Sequence, residues 1–185
     1  TLLGLGNLVA SPKEAQAKIV PVPAPPGPVR NILITGSNSG IGKVAAARLA
    51  AGGYNVFLAC RTLEKAEAAK ESILQEYALS DIPVSSKKRN LVPVECDLAD
   101  LNSVRNFAKK FTALGIVLDV LVMNAGLSLS TEAKPPPPRT SEGFELTVGT
   151  NHLGHFLLCN LLLKNLMSNP NGARIVVTAS QVHDP

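Results

Sequence analysis

Three glycines follow a short run of β-branched and apolar residues, and an alanine-rich segment comes after them. The run spans Asn31–Thr35. The loop after it consists of Gly36, Ser37, Asn38, Ser39, Gly40, Ile41 and Gly42. Glycine lets a backbone turn tightly and approach an anion without a Cβ in the way. The free N–H groups of a following helix favour negative charge. The pattern predicts phosphate binding at a strand-to-helix turn, although a tight turn alone could use the same residues.

A second informative position lies at the end of the next apolar run, where Cys60 and Arg61 stand. In dinucleotide-binding folds that use NAD, a carboxylate about 20 positions past the glycines takes the ribose 2′-hydroxyl. No carboxylate is present here to repel a 2′-phosphate, and a guanidinium binds phosphate oxygens bidentately. The pattern predicts a preference for NADP(H). The alternative is a surface arginine that opens the next helix.

Further small or polar residues stand at the ends of later apolar runs. They are Asp97 and Leu98, then Asn124, Ala125 and Gly126, and finally Ser180. Ligands bind at the carboxyl ends of the strands in α/β sheets, so these residues are candidates for the site. Asp97 could instead cap a helix, as could Asp100 or Asn102. Asn151 stands inside a long helical pattern, where a polar Asn is locally unfavourable.

Strands and helices are predicted to alternate between these positions. The predicted strands are Val29–Thr35, Asn55–Cys60, Leu91–Glu95, Val117–Met123 and Arg174–Ala179. The predicted helices are Ile41–Ala51, Leu63–Leu79, Leu101–Leu114 and Phe144–Met167. Each crossover between parallel strands is right-handed and covers one face of the sheet. The alternation therefore predicts an α/β fold with a doubly wound parallel sheet.

Composition is that of a globular domain behind a proline-rich extension. The chain has 185 residues, 45% of them hydrophobic and 17% charged, which suffices for one domain with a core. Residues 1–29 are interpreted as an extended linker because five prolines exclude a helix or a central strand there. The prolines are Pro21, Pro23, Pro25, Pro26 and Pro28. Residues 30–185 form the predicted dinucleotide-binding domain.

Several classes of partner are disfavoured. The formal charge is only +4, and the basic cluster Lys87–Arg89 lacks interleaved aromatic residues, so no nucleic-acid partner is predicted. The three cysteines have neither metal-ligand nor disulfide spacing, and we interpret Cys60 and Cys96 as buried thiols rather than a redox pair. His152 and His155 could share a helix face, but no third ligand is evident and no metal site is predicted. No apolar run approaches the roughly 20 residues of a membrane span.

These motifs, in this order, resemble those of the short-chain dehydrogenase/reductase family, classical type. The resemblance rests on Thr-Gly-x-x-x-Gly-Ile-Gly at 35–42, Asn-Ala-Gly at 124–126, Asn151 and Ser180. It implies a Rossmann fold and an NADP(H)-dependent oxidoreductase. It further implies that Asp97 contacts the adenine ring and that Asn151 holds a water linked to an active-site lysine. Ser180 would hydrogen-bond the substrate oxygen.

Four segments narrow the resemblance to the branch that holds light-dependent protochlorophyllide reductases and retinol dehydrogenases. They are Leu58–Arg61, Asp97–Ala99, Gly143–Leu146 and Val148–Phe156. The branch implies a bulky apolar small-molecule substrate. It also implies either a plastid location or a cytoplasmic or membrane-surface one. Peripheral membrane association, and a homo-oligomer for the full-length protein, are further expectations.

One part of the family pattern is missing from this sequence. The proton donor of the family is a tyrosine in a Tyr-x-x-x-Lys motif, yet Tyr54 and Tyr77 are followed four residues later by Leu58 and Asp81. Two hypotheses follow. The chain is the amino-terminal portion of an oxidoreductase whose Tyr–Lys pair lies downstream of Pro185, or it is a nucleotide-binding or scaffolding subunit without hydride chemistry.

Overall fold

A five-stranded parallel sheet forms the centre of the molecule. The computed structural model describes residues 20–24, 26–77, 90–129 and 136–180. The strands are β1 (Asn31–Thr35), β2 (Asn55–Cys60), β3 (Asn90–Glu95), β4 (Val120–Met123) and β5 (Arg174–Val177). Their order in the sheet is β3-β2-β1-β4-β5, and every pairing is parallel. The doubly wound α/β fold predicted from the sequence is confirmed. The order reverses between β1 and β4, where such sheets leave a crevice at the carboxyl edge.

Helices cover both faces of this sheet. They are α1 (Gly40–Ala51), α2 (Leu63–Glu76), α3 (Leu101–Ala113), the short α4 (Leu146–Val148) and α5 (His155–Met167). Side chains on a strand alternate between faces, so Ile34 packs with the residues of α1 and α2 while Leu33 packs with those of α3 and α5. The two resulting cores lie on opposite faces of the sheet.

Aromatic packing joins the sheet to α3. The rings of Phe57 on β2 and Phe111 on α3 meet edge to face, with centroids 5.1 Å apart. Both side chains are buried. Fully burying one such ring contributes about 1.5–3 kcal/mol, and the edge-to-face geometry adds about 0.5–1.5 kcal/mol. This contact fixes α3 beneath β2 and thereby sets the position of the turn that precedes α3.

The fourth strand is shorter than predicted, because it begins at Val120 rather than Val117. Two of the three preceding residues, Val117 and Asp119, contact polar side chains. The carbonyl of Val117 accepts a hydrogen bond from the Asn31 side chain, and the Asp119 carboxylate accepts one from the Asn31 N–H. The other Asp119 oxygen accepts a bond from Asn169. Similarly, β1 begins at Asn31 and β5 ends at Val177.

The long helix predicted over Phe144–Met167 is divided. Glu145 is the N-cap of α4, and its carboxylate accepts hydrogen bonds from the N–H groups of Thr147 and Val148. A π-helical turn over Gly149–Gly154 then leads into α5. Gly154 lies directly against the Leu98 carbonyl, so only a residue without a side chain fits there. π-Helical turns are frequent at functional sites, and this one contains Asn151.

The segment before β1 contacts the end of α1. Val22 donates its N–H to the Arg48 carbonyl, and Ala24 donates its N–H to the Gly52 carbonyl. The Tyr54 hydroxyl donates to the Pro23 carbonyl. Residues 20–24 and 26–30 form no helix or strand, as their prolines predict. Thus at least residues 22–24, which the sequence assigns to a linker, pack against the domain.

Some predictions fall outside the described residues. They concern residues 1–19, Pro25, the end of the second helix at 78–79, the polar loop with Lys87–Arg89, residues 130–135 and residues 181–185. In the part of the chain that is described, no helix has the length and apolar character needed to cross a bilayer.

Candidate functional site

A cleft of about 540 Å³ lies at the carboxyl edge of the sheet. Its wall contains most of the predicted cofactor residues: Gly36, Asn38, Ser39, Gly40, Ile41, Arg61, Asp97, Leu98, Asn124, Ala125 and Gly126. The rest of the wall is Thr35, Ala59, Cys96, Leu127, Thr150 and Thr178. The residues predicted from the sequence therefore line one cleft, although they are distributed over about ninety positions of the chain.

Two predicted residues, Ser37 and Gly42, lie behind this wall. Ser37 is fully buried, and its Oγ is 3.7 Å from the Cys60 Sγ. A Cβ on Gly42 would meet the Gly36 carbonyl and lie 2.6 Å from the Asn124 Nδ2. Neither side-chain position faces the cleft. These two residues shape the loop from behind, and the prediction that they bind a cofactor can apply only through their backbone.

Gly36 has the backbone that only glycine adopts readily. Its φ is +66°, and a Cβ there would lie 2.8 Å from the Ala125 Cα. The turn after β1 can therefore press directly against the residues that follow β4. This close approach brings the glycine loop and the Asn-Ala-Gly segment into one wall.

The first turn of α1 receives no capping hydrogen bond from the side chain of its N-cap residue. Ser39 is the N-cap residue, but its side chain accepts no hydrogen bond from that turn. By contrast, Thr62 caps α2 and Asp100 caps α3. Ser39, Gly40 and Ile41 line the cleft. Uncapped N–H groups and the positive end of the helix dipole make this position suitable for a phosphate.

The charges around the cleft differ in their availability. Arg61 is exposed between β2 and α2, lines the cleft, and makes no ion pair among the described residues. Lys43, which follows the glycine loop, is occupied elsewhere: its Nζ is 2.6 Å from both Glu76 Oε1 and Ser72 Oγ. Arg61 is therefore the cation that remains available at the end of β2.

Asp97 lies in the turn before α3. Its carboxylate accepts a hydrogen bond from the Ala99 N–H at 2.9 Å. Asp100, not Asp97, is the N-cap of α3, with its Oδ1 2.8 Å from the Asn102 N–H. The interpretation of Asp97 as a helix cap is thus wrong, and its place on the cleft wall leaves it able to contact a ligand.

Two cysteines are neighbours at the cleft, where Cys96 is part of the wall and Cys60 is not. Cys60 ends β2, Cys96 follows β3, and the Cys96 N–H donates to the Cys60 carbonyl at 2.7 Å. Both are free thiols and both are buried. Burial, with smaller contributions from Asp97 and Glu95, raises the pKa of Cys96 to about 12. Burial also raises the pKa of Cys60. They are the protonated buried thiols that the sequence suggested.

A hydrogen-bond network joins the ends of β1 and β4. The Thr35 Oγ1 accepts the N–H of Asn124 at 2.9 Å and that of Ala125 at 3.0 Å. The Asn124 amide donates to the Thr35 carbonyl at 3.1 Å, so the Asn side chain ties the two strands together as expected. Its Oδ1 accepts a bond from the Thr178 hydroxyl after β5. Three strand ends are therefore fixed relative to one another.

Asn151 and His155 extend this network into the π-helical turn. The Asn151 side chain bonds both backbone groups of Leu127, each at 2.9 Å. His155 is buried, with one ring nitrogen 2.8 Å from the Thr35 Oγ1 and the other 2.9 Å from the Asn151 carbonyl. His152 is exposed and stacks on Phe156. The two imidazoles therefore lie in different surroundings, and the described residues contain no cluster of three or more potential His, Cys, Asp or Glu metal ligands.

A second cleft of about 580 Å³ adjoins the first. Both predicted catalytic residues, Ser180 and Asn151, line it. The two clefts share a wall, which consists of Asn124, Ala125, Gly126 and Thr178. We call this set the common wall. The two clefts are therefore direct neighbours along these four residues.

Sequence reasoning missed six residues in the wall of the first cleft, of which Thr178, Thr150 and Leu127 are informative. Thr178 stands two positions before Ser180, so the period-2 alternation of a strand end could have indicated it. Thr150 precedes Asn151 and lines the first cleft, and its Oγ1 is buried without a hydrogen-bond partner. Leu127 contributes through its backbone, for which no sequence signal exists.

Proteins of one known family are similar to this chain in sequence. The protein-family model described as short chain dehydrogenase matches residues 30–184. The chloroplastic protochlorophyllide reductase of Cucumis sativus is 43% identical over 152 residues, covering 81% of this chain and 35% of that protein. Human retinol dehydrogenase 11 is 41% identical over 157 residues, covering 84% and 44% respectively. The chain thus spans less than half the length of these relatives.

A solved structure shows the same fold. The alcohol dehydrogenase of the archaeon Thermococcus sibiricus, determined in complex with 5-hydroxy-NADP, aligns with a TM-score of 0.64 at 25% sequence identity. The alignment covers 85% of this chain and 60% of that one. From the match over residues 30–184, the two relatives above 40% identity and the parallel sheet with its glycine loop, the chain belongs to the short-chain dehydrogenase family of NAD(P)-binding oxidoreductases.

Proposed function

We propose that this chain provides the cofactor-binding part of an NADPH-dependent oxidoreductase. The observation that carries the proposal is the pair of adjoining clefts with one common wall. One cleft offers the uncapped start of α1 and the free cation Arg61, and the other contains Ser180 and Asn151. A dinucleotide in the first cleft would therefore have its reactive end close to a substrate in the second.

The residues of the first cleft fit a dinucleotide with an additional phosphate. The backbone N–H groups at the start of α1 would bind the diphosphate. Arg61 would bind the 2′-phosphate, since no carboxylate stands at the end of β2. Asp97 and Leu98 would contact the adenine, and the common wall would contact the ribose on the nicotinamide side.

At the second cleft, the cofactor and the chain would each contribute a different part of the reaction. When bound, NADPH supplies a hydride from its nicotinamide ring. The Ser180 hydroxyl would orient the reacting oxygen, and Asn151 would hold a water for proton delivery. Tyr54 and Tyr77 lie before β2 and after α2, at the opposite edge of the sheet. Neither tyrosine is therefore placed to donate a proton at the second cleft.

The proposed substrate is a bulky apolar molecule with a carbonyl or a conjugated double bond. The names of the relatives support two classes, a tetrapyrrole and a retinoid. A plastid location would accompany the first class, and a cytoplasmic or membrane-surface location the second. Turnover of NADPH by the whole protein with each class distinguishes them, whereas tight cofactor binding without any turnover would favour a nucleotide-binding subunit.

Cofactor choice is tested by measuring NADPH and NADH dissociation constants for wild type and Arg61→Ala. Because a hydrogen bond to a charged group contributes about 1.5–3 kcal/mol, the variant should bind NADPH about 10- to 100-fold more weakly. NADH binding should remain unchanged. Arg105→Ala is the matched control, since Arg105 is exposed on α3 and lines neither cleft. Equal wild-type affinities for the two cofactors would refute the preference.

A further inference from the structure

His155 occupies an unusual position for an ionisable side chain. It begins α5, is only 6% exposed, and has a hydrogen-bond partner at each ring nitrogen. The Nε2 lies 2.8 Å from the Thr35 Oγ1, and the Nδ1 lies 2.9 Å from the Asn151 carbonyl oxygen. The imidazole therefore bridges the end of β1 and the π-helical turn.

The contact with Asn151 determines which nitrogen carries the hydrogen. A backbone carbonyl oxygen only accepts hydrogen bonds. An unprotonated Nδ1 would place its lone pair against that oxygen at 2.9 Å. The hydrogen must therefore be on Nδ1, and a neutral imidazole then has an unprotonated Nε2.

The contact with Thr35 gives the same answer independently. The Thr35 Oγ1 already accepts the N–H groups of Asn124 and Ala125, which occupies both of its lone pairs. Its own hydrogen can point to His155 Nε2 at 2.8 Å or to the Val122 carbonyl at 3.4 Å. The shorter contact requires Nε2 to accept. A hydrogen on Nε2 would put a third donor against Thr35.

We infer that His155 is a positioning residue that holds the common wall of the two clefts through a neutral imidazole with its hydrogen on Nδ1. Through Thr35 it acts on the amides of Asn124 and Ala125 in that wall. Through Asn151 it acts on Leu127, which the Asn side chain clasps. Burial, together with the nearby His152, lowers the pKa of His155 and supports the neutral form. The inference rests on the proposed function, because the wall matters only if the clefts bind cofactor and substrate.

The protonation state is tested on the whole protein without cofactor. Nitrogen-15 NMR of the histidine rings at about pH 7.5 should show one imidazole with a protonated Nδ1 and an unprotonated Nε2, assigned to His155 by its loss in His155→Gln. In Thr35→Val the same Nε2 should shift, because its hydrogen-bond donor is removed. A hydrogen on Nε2 in wild type would overturn the inference, whatever the cofactor result.

The positioning role is tested with three substitutions and NADPH. In His155→Gln the amide reaches the position of Nε2 and keeps the Thr35 contact, in His155→Asn it reaches only that of Nδ1, and His155→Phe keeps neither. We expect the Phe and Asn variants to bind NADPH about tenfold more weakly and the Gln variant to stay within about threefold of wild type, provided circular dichroism shows each to be folded.

The outcomes separate this inference from the proposed function. A folded Phe variant with wild-type NADPH affinity, or a Gln variant as impaired as the Phe variant, would overturn the positioning role. Wild-type protein that binds neither NADPH nor NADH would overturn the proposed function instead. The NMR result on the cofactor-free protein would still stand in that case as a separate measurement of the tautomer.

Discussion

The Asn124 amide lies 3.1 Å from the Thr35 carbonyl, while the Asn124 N–H donates to the Thr35 Oγ1 at 2.9 Å. These two residues are 89 positions apart in the chain. They join the ends of β1 and β4 at the crevice, the point where the strand order reverses. The cofactor cleft therefore depends on this pair in addition to the glycine loop.

Replacing Thr35 with Val should destabilise the protein. The substitution preserves shape but leaves the partly buried N–H groups of Asn124 and Ala125 without their acceptor. An unsatisfied buried group costs about 1–3 kcal/mol, and partial burial favours the lower part of that range for each of the two, so we expect a loss of about 2–4 kcal/mol in the free energy of unfolding, measured with urea. Thr35→Ser keeps the oxygen and is the control. Equal stabilities of the Val and Ser variants would contradict the network.

Gly42→Ala should also be costly. A Cβ at position 42 would meet the Gly36 carbonyl and lie 2.6 Å from the Asn124 Nδ2. Both groups belong to the contact between the ends of β1 and β4, so neither can move away freely. Overpacking of this kind costs about 1–3 kcal/mol. Gly126→Ala is the matched control, because its Cβ would be 3.7 Å or more from the nearest atoms. Chemical denaturation should show the control within about 0.5 kcal/mol of wild type.

Thr150→Val should leave the unliganded protein equally stable or make it more stable. The buried Thr150 Oγ1 has no hydrogen-bond partner among the described residues, so the desolvation of this hydroxyl is not offset by a hydrogen bond. Valine has the same shape without that group, and we expect a gain of up to about 1 kcal/mol in thermal or urea unfolding. Thr140→Val is the comparison, since the Thr140 hydroxyl accepts the Phe144 N–H. That variant should lose stability, and a loss at Thr150 of the same size would indicate a missed partner.

Acid should weaken the fold partly through His155. Burial lowers the pKa of this imidazole, so the unfolded chain binds its proton more readily than the folded one. The resulting stability is complete above the ordinary histidine pKa of about 6.5 and declines as the pH falls below it toward the folded-state pKa. Unfolding free energies at about pH 7.5 and pH 5.5 should differ more for wild type than for His155→Gln. Identical differences would mean that folding does not shift the pKa of His155.

Native Cys60 and Cys96 should resist thiol reagents. Both thiols are buried, and the pKa of Cys96 is about 12, so almost no thiolate forms near neutral pH. Mass spectrometry after brief alkylation at about pH 8 should find these two sites unmodified in the folded protein and modified after denaturation. Rapid labelling, or a disulfide between them under mild oxidation, would show a redox pair instead.

The sequence by itself determined the strand–helix alternation and most of the first cleft. The signals used were local, because each belongs to the end of a single strand. They are the glycine spacing, the Cys60–Arg61 dipeptide and Asn124–Gly126. Parallel strands place their carboxyl ends on one edge, so the residues found at those ends came together as predicted.

Only the tertiary structure decided which of these residues face the cleft and which are buried or paired with other side chains. Ser37 looked like its neighbours in the loop but is buried against Cys60, and Lys43 is paired with Glu76 while Arg61 stays available. Such outcomes depend on contacts between residues far apart in sequence. The same holds for His155. In the sequence it is one histidine within a helical pattern, and only the structure shows that Thr35, 120 positions earlier, contacts its ring. Side-chain partners across the sheet are set by packing, and no local spacing records them.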